Sequence, residues 1–283
     1  MKQPIVSQVG KRRGSQSAFP RIITLLTDFG LTDYYVGAMK GIILSIAPHV
    51  RLVDITHDVP PQNIASGAFY ILAAHTAFPN GTVHLGVVDP GVGSGRRAIA
   101  VQASGQFFIG PDNGLFSYIC QADRDHRVFE ITNQTLFRRQ VSETFHGRDV
   151  FAPVAAHLAL GIDLKALGKE IQDYVDLGPL EPKTVGLRRF EGRIINVDRF
   201  GNCVTNFTPN LFSSTGTERR FQLTIAGRKL NLLKRFYAEP PVKRREPFAI
   251  WGSAGFLEIA TTNGSAARIL RITAGDQIEL RFL

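Results

Sequence analysis

From residue 21 onward, apolar and polar positions follow two rhythms in turn. RIITLLT (21–27) is a short apolar run with β-branched residues, which predicts a buried strand, and it stops at Asp28. DYYVGAMKGIILSIAP (33–48) then carries apolar residues three and four apart and ends at a proline, which predicts a helix. RLVDIT (51–56) predicts a second strand, NIASGAFYILAAHTAF (63–78) a second helix, and TVHLGVV (82–88) a third strand running into Asp89. Such alternation predicts parallel pairing with helices on the faces of the sheet. AIAVQA (98–103) and QFFIG (106–110) read as a hairpin, PDNG as a turn and LFSYICQA (115–122) as a short helix. RDVFAPVAAHLALG (148–161) reads as a further helix with Gly161 as its C-cap.

Near residue 182 the rhythm changes. EPKTVGLRR is a polar connector, and beyond it come short β-like runs: GRIINVD, CVTNFT, RRFQLTIAG, EPFAIWG, GFLEIATT and QIELRFL. Short strands separated by Gly/Asn turns predict a small sandwich or barrel. The expected organisation is a flexible basic leader at 1–20, an α/β domain with a mostly parallel sheet and flanking helices at 21–182, and a smaller all-β, barrel-like domain at 190–283.

Composition narrows the function classes. With 283 residues, 44% of them hydrophobic, the chain can bury a large core. Its two cysteines, Cys120 and Cys203, have neither CxxC spacing nor further partners, which argues against a zinc site or disulfide framework and fits a reducing cytoplasm. No apolar run approaches the roughly 18 residues of a membrane span, and the N-terminus lacks the apolar core of a signal peptide. A soluble cytoplasmic protein with no membrane partner is expected. The net charge of +9 is dispersed over short clusters such as Arg138-Arg139, Arg188-Arg189, Arg219-Arg220 and Lys243-Arg244-Arg245, which reads as solvated surface and not as a nucleic-acid stripe.

The chemistry concentrates in GVVDPGVGSGRRAIAV (86–101). Its glycines do not form a dinucleotide fingerprint, because Arg96 takes the third glycine's place and a strand follows instead of a helix. No Walker pattern occurs either. Ligands of open α/β sheets bind outside the carboxyl ends of the strands, where Asp28 and Asp89 both fall. Asp33 lies just past the first, and Arg96 comes within reach of the second if the glycine loop folds back. A carboxylate beside an arginine stays ionised, which suits holding a ligand or orienting a water; helix capping by Asp28 and a structural Asp89–Arg96 ion pair are the competing readings. His146 precedes a predicted helix, whose positive end favours neutral imidazole. His57, flanked by Asp54 and Asp58, reads as a turn or cap residue more readily than as a metal ligand. In INVDRFGNCVTNF (195–207), an aromatic beside an amide is what a purine needs, one group to stack on and one to read its polar edge.

Together these blocks resemble the S-adenosylmethionine (SAM) hydroxide adenosyltransferases, relatives of the fluorinase and chlorinase enzymes. The resemblance runs through LLTDFGLTDYYVGAMKG, VDITHDVPPQNIASGAFY, VVDPGVGSGRR, GPDNGL, TFHGRD, INVDRFGN and GSAGFLEIATTNGSA. It implies a trimer with active sites at subunit interfaces and attack of water on ribose C5′ of SAM, a substrate, with no cofactor and no metal. It assigns Asp89, Arg96 and His146 to the water, Asp28 to the ribose hydroxyls, and Asp33 and Tyr35 to the ribose and methionine end. Asp198 and Ser253 would bind the methionine amine and carboxylate, Phe200 and Tyr237 would sandwich adenine, and Asn202 and Asn263 would meet its edge. Halogenating relatives carry an uncharged aromatic at the Asp89 position and an inserted loop for which QASGQFFIGPDNG is too short. Gln62 replaces their tryptophan, and Ala254 replaces their arginine after Ser253. The competing functions are a halide-dependent adenosyl halide synthase and a non-catalytic adenosine or SAM sensor.

Overall fold

The computed structural model describes residues 21–213, 220–240 and 245–283. The expected leader, Arg219, Lys243 and Arg244 lie outside the described residues.

The first sheet is built from β1 (Ile22–Thr27), β2 (Arg51–Thr56), β3 (Val83–Val87), β4 (Ala98–Ala103), β5 (Gln106–Pro111), β6 (Arg127–Glu130) and β7 (Glu170–Ile171). Its order is β2-β1-β3-β5-β4-β6-β7. The pairs β1/β2, β1/β3 and β3/β5 are parallel, whereas β4/β5, β4/β6 and β6/β7 are antiparallel. The sheet is therefore mixed, not mostly parallel. The β4–β5 hairpin turns through Ser104 and Gly105, both at positive φ, and sends β4 back alongside β5 to recruit the two short strands.

Alternation along β1 divides its apolar residues between two helical layers. Ile23 and Leu25 face α1 (Tyr35–Ile46), through Met39 and Ile43, while Leu26 joins Ile71 of α2 (Ile64–His75) and Ile119 of α3 (Ser117–Ala122) on the other face. The Asn63 side chain caps α2 by accepting the Ser66 N–H at 2.9 Å. The helix expected from Arg148 starts one residue earlier as a π-helical turn, Gly147–Phe151, continues as α4 (Ala152–Ala159), and closes at Gly161 with φ +98°.

The second sheet comprises β8 (Lys183–Gly186), β9 (Arg189–Val197), β10 (Cys203–Thr205), β11 (Phe221–Ile225), β12 (Arg228–Leu230), β13 (Leu233–Lys234), β14 (Pro247–Trp251), β15 (Leu257–Thr261) and β16 (Gln277–Phe282). The nine-residue β9 pairs with β16 and β8 along its first half and with β10 along its second, so the sheet curls there. Phe207, Phe212, Phe221, Leu257, Leu280 and Phe282 pack into a single core inside the curl. Every strand expected from the sequence in this region is present, and the short β8, β12 and β13 add to them.

Candidate active site

Asp28 and Asp89 follow the neighbouring parallel strands β1 and β3, whose Thr27 and Val87 are paired, so both carboxylates stand at the carboxyl end of the same sheet. The glycine loop folds back as expected. Gly93, at φ +79°, packs so closely on the Glu143 carbonyl that an added Cβ would lie 2.4 Å from it, and this contact brings the loop before β4 against the segment that carries His146. Arg96 thereby grips Asp89 with both arms of its fork: Nε donates to Oδ1 at 2.9 Å and Nη2 donates to Oδ2. The same Nη2 donates to Nδ1 of His146 at 2.9 Å, and the guanidinium lies over the Phe151 ring. Side-chain exposure is 4% for Asp89 and 11% for Arg96, so the pair is dry enough to be worth more than a surface ion pair.

Because guanidinium can only donate, Nδ1 of His146 must accept, and the imidazole proton sits on Nε2. Burial, then the charge of Arg96, lowers the pKa of His146 below the ordinary imidazole value and keeps the ring neutral. The neutral state is the one expected beside the positive end of a helix. His146 is held in place by its neighbours. The fully buried Asp149 accepts from Arg138, Arg148 and the Ser142 amide. Burial opposes its ionisation, yet these donors bring its pKa down to about 2.

Asp28 does not cap α1. Its Oδ2 accepts the Gln62 N–H at 2.8 Å, and Gln62 adopts a left-handed φ of +63°. Asp33 is exposed just ahead of α1, and Tyr35 stacks on Tyr34 and meets Phe145 edge-on at 5.0 Å, next to His146. His57 is neither turn former nor cap: its Nδ1 bonds the Thr27 hydroxyl at 2.8 Å, and its Nε2 lies 3.1 Å from Asp54, itself paired with Lys40. A polar chain, buried at Thr27 and His57 and reaching solvent at Asp54 and Lys40, thus underlies the strand end that presents Asp28.

The other expected residues meet elsewhere. Asp198, Phe200, Asn202, Tyr237, Ser253 and Asn263 all line one cavity of about 910 Å³ on the second sheet. None of Asp28, Asp33, Tyr35, Asp89, Arg96 or His146 lines it. Asp198 organises its own turn, accepting from the Phe200 and Asn202 amides and from Asn202 Nδ2. Phe200 is 76% and Tyr237 47% exposed, and among the described residues no ring contact joins them. Sequence reasoning missed Glu258 in the same cavity. Its signal was a charge in the otherwise apolar run GFLEIA, and its pKa is raised by burial and then by the charge of Asp198. Two neighbouring carboxylates make this cavity suited to a cation.

Fold and site together define a two-sheet protein with a dry Asp–Arg–His cluster at the strand ends of one sheet and an acidic, aromatic cavity on the other. Family models for the SAM hydroxide adenosyltransferase N-terminal and C-terminal domains match residues 23–168 and 192–279. The (R)-S-adenosyl-L-methionine hydrolase of Salinispora arenicola is 37% identical over 91% of this chain and 97% of its own. A fluorinase of Nocardia brasiliensis is 28% identical over 92% of this chain and 96% of its own. Among solved structures, an uncharacterised conserved protein from Thermotoga maritima superposes with a TM-score of 0.83 at 37% identity, covering 92% of this chain and 99% of that one. The chain belongs to the SAM hydroxide adenosyltransferase family.

Proposed function

We propose that this chain hydrolyses SAM to adenosine and L-methionine by in-line attack of water on ribose C5′. The observation that carries the reading is the buried contact of Asp89, Arg96 and His146 at the end of β3. The hydrolase relatives support it, being nearer in sequence than the fluorinases.

In the reaction the water oxygen bonds to C5′, the C5′–S bond breaks with its electron pair going to sulfur, and one water proton is released. The leaving thioether is neutral and needs no acid. Attack on a sulfonium disperses charge, so a site that excludes bulk water lowers the barrier. The protein's task is to hold one water in line and take its proton. His146, with its proton on Nε2, donates to the water oxygen. Asp89, ionised and held by Arg96, accepts the proton through a remaining lone pair. Positioning of this kind supplies up to about 7 to 11 kcal/mol, and general-base help about 10²- to 10⁴-fold.

In this reading residues 21–182 form the domain that acts on the water and 190–283 a barrel-like domain that binds both ends of SAM. Adenine slots between Phe200 and Tyr237, with Asn202 Oδ1 and Asn263 at its edge. Asp28 takes the ribose hydroxyls, while Asp33 and Tyr35 line the ribose and methionine end. Asp198 and Ser253 hold the methionine amine and carboxylate, and the acidic cavity favours the sulfonium and ammonium. Because the two residue sets line separate surfaces, the reading completes each active site between neighbouring copies of a homotrimer, in the cytoplasm. The deciding experiment is turnover of SAM in H₂¹⁸O: the label enters the adenosine 5′-hydroxyl, and Asp89→Asn lowers turnover at least about 10²-fold while SAM binding by calorimetry stays within about threefold. Unlabelled adenosine, or binding without turnover by the wild type, ends the reading.

A further inference from the structure

A second cleft, of about 400 Å³, opens beside Arg96 and His146. Arg96, Arg138, Arg139, Gln134 and His146 line it, and no carboxylate does. Ile131, Phe137 and Val150 supply an apolar floor, while Gln134, Arg138 and Arg139 stand at the solvent-exposed rim. Two of the guanidiniums are already anchored, Arg96 by Asp89 and Arg138 by Asp149 at 2.8 Å. Arg139 forms no ion pair or hydrogen bond among the described residues. The lining is thus a preformed cluster of donors with one uncompensated cation, next to the imidazole used in the chemistry, and none of Asp28, Asp33 or Tyr35 lines it.

We propose that this cleft binds a small phosphate-bearing anion, held by Arg138, Arg139 and Gln134 and sharing the Arg96 guanidinium with His146. Three positively charged forks and an amide match the several acceptor oxygens of a phosphate, and the volume leaves room for a small ester group. Occupancy draws on the guanidinium that orients His146, so a bound anion lowers turnover. The coupling to turnover rests on the hydrolase reading; the binding does not.

The test is calorimetric titration of the wild-type protein with inorganic phosphate at constant ionic strength, without SAM. The expected result is saturable binding at one site per chain, weakened at least about tenfold by Arg139→Ala, the scale of losing a hydrogen bond to a charged group. Arg228→Ala, on the second sheet, changes the affinity less than about twofold. Saturable binding of glycerol 2-phosphate as well extends the site to phosphate esters, and binding of phosphate alone restricts it to the free ion. No saturable binding by the wild type, or equal weakening in both variants, overturns the site. Adenosine formation then reads the coupling: phosphate slows the wild type, and Arg139→Ala needs at least about tenfold more phosphate for the same slowing, whereas phosphate binding that leaves the wild-type rate unchanged overturns the link to Arg96.

Discussion

Arg96 donates to both Asp89 oxygens and to His146 Nδ1, so a single guanidinium sets the roles of the other two side chains. Protonation of His146 would set two donors against each other across that contact. Its pKa is depressed by burial and by Arg96, so the required neutral ring persists at pH 7 and is lost only as the pH falls through the lowered value. The pH profile of kcat therefore shows an acidic limb below about 6.5, the ordinary imidazole value, and His146→Asn removes that limb along with most of the rate. Glu258 behaves in the opposite sense. Its pKa is raised by burial and by Asp198, so its contribution to folding is fully present below the unfolded value and lost as the pH rises through the folded one. At pH 7 the ionised carboxylate is a cost to the empty protein and an asset toward a cation. Glu258→Gln accordingly raises the melting temperature of the ligand-free protein at pH 7 and weakens SAM binding, as thermal scans with and without SAM would register.

At the level of elements, the glycine loop before β4 and the segment that ends in the π-helical turn meet through Gly93 and the Glu143 carbonyl. Gly93→Ala both requires a left-handed backbone of a residue that resists it and drives a methyl group into that carbonyl, at 2.4 Å. It is expected to cost about 1–3 kcal/mol of stability by denaturant unfolding and to reduce kcat more than it raises KM, since it separates Arg96 from His146. The alternation of β1, α1, β2, α2 and β3 was legible because each element is long enough for its period to show. The four-residue β6, which pairs with β4, and the two-residue β7, which pairs with β6, were not, since their pairing arises from tertiary contact and not from any local pattern; with the β4–β5 hairpin they turn the expected mostly parallel sheet into a mixed one. Marked strand ends and a helix start singled out Asp89 and His146, but the grouping of Asp89, Arg96 and His146 came from the family resemblance. The Asp28–Gln62 bond and the location of Glu258 were not legible, because each depends on which distant segment the backbone brings alongside. His57 was misjudged for a related reason: its partner Thr27 lies 30 residues away, at the end of β1.

Across the whole molecule, the triad and the acidic cavity line separate surfaces, and a working site in the proposed trimer draws one from each of two chains. Asp89→Asn damages only the first surface and Phe200→Ala only the second. Mixing the two inactive proteins under conditions that allow subunit exchange is expected to restore a fraction of wild-type turnover, whereas neither recovers alone. Sites contained within single chains would give no recovery. The cavity of the second sheet, lined only by residues between Asp198 and Gly264, gives the proposed trimer a kinetic signature. An enzyme that borrows its reacting groups from a neighbour has a rate per chain that depends on how many chains are present, so serial dilution silences it while every protomer is still folded, and adding back the inactive Phe200→Ala protein to the dilute wild type revives it.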